Sequence, residues 1–418
     1  MAKSGSAAPV TPAGLLGDWR LLLVLFLALR IGLLLVYQPL LIDGSERGIT
    51  TGGDFLTYYH LGSLSSDGLL PFRDWWSEFP PIPSWLNVII YQLAGRGSYA
   101  GFAILYGILM LACDAGNLAL LRKIGIRLHG PQTGTALAWI YALLLAPTVL
   151  QWWTFEPLVA FTLLLSLHWL LSGKDNRSAL TAGIGALVKF TPALILGGVF
   201  RFRARGLALR YLAIVSAIFV GVYAMLMLQN AQMTLPSLTA QFNKASYQTV
   251  WALADGNYRT GNFGPIADRI DPAAAAQLNG NPSVIPGWLR LGVAALTGLF
   301  IYARTRRFDD RGLVAFLTIT LLIFFLQAQG WSPQWLAQLL PLLLLCFPTR
   351  DGILGLVILC LAVFAEYPFL WLRTGDTGGV ITGSLMMPYS ILVVARTVLL
   401  AGFVFGLYRR LRQIPATR

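Results

Sequence analysis

Residues Leu21 to Leu41 read LLLVLFLALRIGLLLVYQPLL, a run of 21 residues broken by a single charge, Arg30. At 1.5 Å of rise per residue, a helix of this length is about 31 Å long, the thickness of a bilayer's hydrocarbon core. The run is too long for the apolar region of a secretory leader. No small-x-small cleavage site follows it, so it reads as an uncleaved first span. Nine more apolar runs follow, at about 98–121, 131–151, 155–173, 207–228, 287–303, 312–329, 334–347, 352–371 and 387–408. The expected fold is therefore all-α: a polytopic integral membrane protein with about ten transmembrane helices.

The composition agrees. Of 418 residues, 56% are apolar and 12% charged, against about 45–50% and 25% in soluble domains. Mean hydropathy is +0.66. This excludes an ordinary soluble enzyme, a disordered chain and a disulfide scaffold. Cys113, Cys346 and Cys360 all lie in apolar runs and read as buried small residues. A net charge of +13 invites a nucleic-acid reading. The cations, however, sit in short clusters between apolar runs, so they report topology instead.

One segment departs from the pattern. Residues 178–200 carry Lys189 and Pro192 at their middle, with Lys174 and Arg177 before them and Arg201, Arg203, Arg205 and Arg210 after. Both ends carry the charge of a cytoplasmic loop. A broken, re-entrant pair of half-helices fits better than a full span. With both termini cytoplasmic, 20 of the 31 Lys and Arg fall inside, seven outside and four (Arg30, Lys189, Arg290, Arg396) within spans. The opposite orientation reverses 20 to seven. Eleven of the 18 acids then lie outside. The chain divides into an N-terminal membrane module (1–228) with outer loop 42–97, a second outer loop (229–286) and C-terminal membrane helices (287–418). The expected location is the plasma (inner) membrane, with the chemistry on its outer face.

The first outer loop contains Gly52-Gly53-Asp54-Phe55-Leu56-Thr57-Tyr58-Tyr59, then Gly68-Leu69-Leu70-Pro71-Phe72-Arg73-Asp74, then Glu78-Phe79-Pro80-Pro81. The apolar stretch from Pro83 to Leu93 is too short to span. It reads as an interfacial helix, with Trp75, Trp76, Trp85 and Tyr91 in the aromatic belt. Asp54 is either the N-cap of a helix over 55–66 or a general base at the membrane surface. As a base it suits sugar transfer through an oxocarbenium-like transition state. A lipid-phosphate leaving group is a weak base and needs no general acid. One carboxylate and one cationic phosphate site then suffice.

The order Gly-Asp-x3-Tyr-Tyr, Gly-x2-Pro-aromatic-x-Asp, Glu-aromatic-Pro-Pro resembles the first outer loop of GT-C class polytopic glycosyltransferases. The nearest likeness is to the bacterial polyprenyl-phosphate-mannose-dependent mannosyltransferases. Gly185-Ala-Leu-Val-Lys189-Phe-Thr-Pro192 resembles the family's Gly-x3-Lys-x2-Pro. Gly330-Trp-Ser-Pro-Gln334-Trp335 resembles its Ser-Pro-Gln-aromatic element. The likeness runs in order over about residues 15–345. It implies a GT-C-like fold and transfer of a sugar, mannose first, from a polyprenyl-phosphate donor to a lipid or glycan acceptor. Such transfer serves glycolipid or cell-envelope glycan synthesis. A pentose or aminosugar donor is the alternative within the class. Asp54 follows Gly52-Gly53 where many members carry a second acid, which weakens a metal-dependent reading and leaves a divalent cation as an unsupported alternative. No cofactor is expected.

Roles follow, each beside its structural alternative. Asp54 and Glu78 are the catalytic candidates, although Glu78 can simply pair with Arg73. Lys189 presents an ammonium to the donor phosphate, or pairs with Asp114. Arg259 and Arg373 can clamp that phosphate, or sit at the rim. Trp331 and Gln334 suit a donor sugar, or an aromatic belt. Tyr58, Tyr59 and Glu156 suit the acceptor; Glu156 can instead be a turn acid before Pro157. For Arg30 and Arg396, pairing inside the bundle is preferred. A secondary transporter or lipid-linked-sugar flippase also accommodates a broken helix with a charge. A structural membrane subunit accounts for the topology but not for the outer acids.

Overall fold

The computed structural model describes residues 12–37, 54–95, 97–144, 154–261, 263–277, 280–374 and 378–414. Gly52, Gly53 and the ends 38–41 and 145–151 of two apolar runs, all cited above, lie outside these residues.

The described residues form helices and turns, with three isolated β-bridges. In chain order the helices are α1 (Pro12–Gly17), α2 (Trp19–Tyr37), α3 (Asp54–Ser63), α4 (Pro81–Leu93), α5 (Tyr99–His129) and α6 (Pro131–Leu143). Then come α7 (Glu156–Leu171), α8 (Asp175–Val188), α9 (Ile195–Phe202), α10 (Arg205–Thr234), α11 (Pro236–Asn243) and α12 (Val250–Asp255). The chain finishes with α13 (Gly287–Arg304), α14 (Asp310–Gln327), α15 (Leu336–Cys346), α16 (Arg350–Phe364), α17 (Trp371–Thr374) and α18 (Met386–Arg412). Each of the ten apolar runs holds a helix. Four stretches, Tyr99–His129, Arg205–Thr234, Asp310–Gln327 and Gly383–Arg412, are long and apolar enough to cross a membrane by length and composition. The protein is an all-helical integral membrane protein.

Local sequence explains the helix ends. Ser98 caps α5 by accepting the Gly101 N–H at 3.0 Å. Gly130, at φ +89°, closes α5, and Pro131 opens α6. Pro81 likewise starts α4, which buries Pro83, Asn87, Val88, Ile90 and Tyr91 and leaves Ile89 and Leu93 exposed. A single large core joins both halves of the chain, running from Leu22 on α2 through α5, α7 and α14 to Leu407 on α18.

The segment 178–200 is a broken hairpin. Helix α8 ends at Val188, Lys189 is extended (φ −159°, ψ 148°), a 3-10 turn covers Thr191–Leu194, and α9 runs back. Arg203, just past α9, lies 3.6 Å from Asp175 at the start of α8 and donates to the Leu170 carbonyl at 2.7 Å. Both ends therefore sit together, with Lys189 at the far tip.

The basic clusters also gather at that end. Arg127 pairs with Asp310 at 2.7 Å, Arg311 donates to the Leu128 carbonyl, Arg201 donates to the Thr305 carbonyl, and the Arg306 N–H donates to the Leu411 carbonyl. Inside the bundle, Arg30 and Asp114 form a fully buried pair at 2.6 Å, which Tyr141 completes by donating to Asp114. Arg396 pairs with Glu366.

Two expectations are corrected. Trp75, Trp76 and Tyr91 are buried rather than belt residues. Trp76 donates its indole N–H to the carbonyls of Asp268 and Asp271, both at 2.8 Å, which pins the second outer loop to the first. Glu78 does not pair with Arg73, which binds its neighbour Asp74 at 2.7 Å.

Candidate active site

Asp54 is the first residue of α3, where a carboxylate is favoured by the helix dipole. Its Oδ2 accepts two hydrogen bonds at 3.2 Å. One comes from Tyr58 OH, one turn on. The other comes from Gln334 Nε2, which the Pro333–Trp335 turn brings across 280 residues of chain. Aromatic rings line this niche: Tyr58 packs 5.8 Å from Phe155 and 6.1 Å from Phe263, centroid to centroid. Burial pushes the Asp54 carboxyl up to about 7. The Tyr58 hydrogen bond opposes this, the nearby charges of Glu156 and Glu78 add to it, and Lys189 opposes it. Burial and Asp54 likewise push the Tyr58 phenol well up.

Beside this niche, Lys189 at the hairpin tip forms an ion pair with Glu156, the first residue of α7. The ammonium also lies 5.1 Å from the Trp335 ring and 5.9 Å from the Phe155 ring. Gln338 fixes the carboxylate: its Nε2 donates to Glu156 at 2.7 Å while its Oε1 accepts from Thr191 at 2.6 Å. The Gly-x3-Lys-x2-Pro spacing has a steric basis. A Cβ on Gly185 would come within 2.8 Å of Pro192 and of Thr162 Oγ1, so only glycine lets the break fold back on α8.

The remaining candidates scatter. Glu78 is buried between Lys244 and Arg269. Tyr59 turns away from Asp54 into a cluster with Tyr91, Tyr99 and Phe102. Trp331 is buried and donates to Glu366 at 3.0 Å, with the Arg396 guanidinium 4.6 Å from its ring. Arg259 lines a cleft with Lys244 and Arg269. Arg373 is exposed on α17.

Sequence reading missed Gln338, Lys244, Arg269 and Phe263. Gln338 had a signal, an amide inside the apolar run Leu336–Cys346. The other three are loop residues whose meaning depends on packing against distant segments. Among the described residues no three His, Cys, Asp or Glu side chains converge as a metal site.

No family model matches the sequence, and no curated protein matches it. Among solved structures, the chain is similar to ArnT from Cupriavidus metallidurans bound to undecaprenyl phosphate. That likeness has 15% identity and a TM-score of 0.47, over 93% of this chain and 75% of that one. The apo state of the same protein gives 14% identity and a TM-score of 0.48, over 93% and 75%. The Archaeoglobus fulgidus oligosaccharyltransferase in its apo form gives 11% identity and a TM-score of 0.45, over 94% of this chain and 56% of that one.

Proposed function

We propose that this protein is a membrane glycosyltransferase that moves a sugar, mannose first, from a polyprenyl-phosphate donor to a hydroxyl of a lipid or glycan acceptor. The reaction takes place at the outer face of the plasma membrane, with both termini cytoplasmic. The observation that carries this reading is the pairing of functions at one end of the bundle: a carboxyl, Asp54, held by Tyr58 and Gln334, and near it a cation, Lys189, at a broken helix.

The acceptor oxygen attacks the sugar's anomeric carbon as its bond to the donor phosphate breaks. Asp54 takes the acceptor's proton, and a carboxyl near 7 suits that task. Lys189 faces the departing phosphate, whose charge grows as the bond breaks, so the ammonium favours the transition state over bound donor. Glu156 and Gln338 hold that ammonium in place. An apolar groove lined by Pro81, Trp85, Leu86, Leu187, Val222 and Leu226 begins two residues from Lys189 and suits the isoprenoid tail. A single displacement inverts the anomeric centre.

The test is a proteoliposome assay with radiolabelled polyprenyl-phosphate mannose and membrane-extracted acceptor. Label in a new glycosidic product supports the reading. Label that crosses the bilayer with its phosphate bond intact identifies a transporter instead.

A further inference from the structure

A buried ion pair that the proposed chemistry does not use lies one tryptophan away from the site. Glu366 and Arg396 pair inside the bundle, and both are buried together with Trp331. Glu366 stands where α16 gives way to a wider π turn over Ala365–Leu370, whose Tyr367 leaves helical geometry (φ −144°, ψ 128°). Charges inside a membrane are expensive. A buried pair is often no more stabilising than apolar residues of similar size. The pair therefore needs a reason beyond stability, and its contacts supply one.

Both members grip the segment 329–335. Glu366 Oε2 accepts the Trp331 indole N–H at 3.0 Å, and the Arg396 guanidinium lies 4.6 Å from the same ring. Arg396 also donates to the carbonyl of Gln248. Gln248 sits at φ +50°, a conformation that a residue with a side chain keeps only where its surroundings hold it. The adjacent Tyr247 pairs by main chain with the segment. Its N–H donates to the Gln329 carbonyl and its carbonyl accepts from the Trp331 N–H, both at 3.1 Å. Arg396 thus fastens Trp331 through its ring and through its backbone partner. Trp331 in turn packs 5.8 Å from Trp335. At the far end of the segment, Gln334 donates to Asp54 at 3.2 Å and the Trp335 ring lies 5.1 Å from the Lys189 ammonium.

We propose that Glu366 and Arg396 are positioning residues: they clamp Trp331 and thereby fix Gln334 against Asp54 and Trp335 against Lys189. The proposal rests on the transferase reading of Asp54 and deepens it. The clamp has a consequence that a pair serving only the fold lacks. A donor on a carboxylate favours its charged form. Slackening the segment withdraws Gln334, so Asp54 should hold its proton to higher pH. The titratable groups facing Asp54 are Tyr58 on its own helix, Glu78 in the first outer loop, Tyr106 on α5, Glu156 on α7, Lys189 at the hairpin tip and Tyr247 in the second outer loop. All six are kept in the variants below, so a shift reports Gln334.

The experiment follows the carboxyl stretch of Asp54 against pH by infrared difference spectroscopy. It uses full-length protein in nanodiscs, with Asp54→Asn in each background as the blank. The wild-type midpoint should lie at about 7. Trp331→Phe keeps a ring, loses the N–H that Glu366 accepts and changes no charge. Glu366→Gln/Arg396→Met removes both charges. Each should raise the midpoint and lower kcat by up to about 10²-fold, as a misplacement of about 1 Å does. Gln334→Leu should raise the midpoint too, and adding Trp331→Phe to it should raise it no further.

An unmoved midpoint in Trp331→Phe overturns the proposal, as does an equal further shift in the Gln334→Leu background. If Glu366→Gln/Arg396→Met fails to fold, Trp331→Phe alone decides. The infrared readout needs no sugar transfer. If transfer is absent while the midpoint shifts, the positioning role stands and only the transferase reading falls. If transfer proceeds and the midpoint does not move, the transferase reading stands and the positioning role falls.

Discussion

Lys189 and Glu156 form an ion pair across 33 residues of chain, at the end of the helical pair where α8 breaks and α7 begins. The pair holds a cation at the tip of a broken helix beside Asp54. Asp114, the other acid within reach of the sequence reading, is committed to Arg30 instead.

The ion pair sets the outcome of Lys189→Met. Turnover should fall by about 10²-fold or more, as when one charge-stabilising donor is removed, with a smaller change in donor KM. The substitution also strands the Glu156 carboxylate, so the thermal midpoint should drop. Adding Glu156→Gln should restore the midpoint but not turnover. Restored turnover in the double variant would reduce Lys189 to a structural counter-charge.

The rate should depend on pH through Asp54. With its carboxyl near 7, kcat should rise as pH passes through about 7 and the base loses its proton. Removing a neighbouring negative charge, as in Glu156→Gln, should move this limb to lower pH. Removing the hydrogen bond that favours the carboxylate, as in Tyr58→Phe, should move it to higher pH. The folded value lies above the unfolded 3.8. Protonated Asp54 therefore contributes stability that is complete below about 4 and lost as pH rises through about 7. Shifts of the same direction in both variants contradict this electrostatic account.

Much of the fold is legible in the sequence because the bilayer imposes a simple rule. Runs such as Leu21–Leu41 and 207–228 can only be helices, and the arginines around 178–200 identify a hairpin whose ends return together. Part of the site is legible for a similar reason: Lys189 beside Pro192 has no cheap place in an apolar core. Partnerships are not legible. Whether Lys189 meets Asp114 or Glu156 depends on which face of α8 points at α7. The Lys244 and Arg269 pairing with Glu78 depends on how two loops fold over each other, which Trp76 decides through carbonyls that any residue type supplies. Trp331 and Gln334 are three residues apart, yet one serves Glu366 and the other Asp54.

Orientation is tested with single cysteines. The native Cys113, Cys346 and Cys360 are buried, so an impermeant maleimide applied to intact cells reports added sites. Asp67→Cys, at an exposed turn of the first loop, should label from outside. Ala204→Cys, between α9 and α10, should label only after permeabilisation. Labelling of Ala204→Cys in intact cells would place the basic end outside and reject the assignment of the chemistry to the outer face.

The central claim is that Asp54 removes the acceptor's proton, and the amide variant measures it most directly. Asn keeps the size and the capping ability of the residue but cannot take a proton. Purified Asp54→Asn should keep the wild-type melting profile at pH 5, where Asp54 is itself neutral. It should transfer sugar from polyprenyl-phosphate mannose at least about 10²-fold more slowly at neutral pH, with the ascending pH limb gone. Near-wild-type turnover in this variant, or a limb that persists at about 7, would contradict the account.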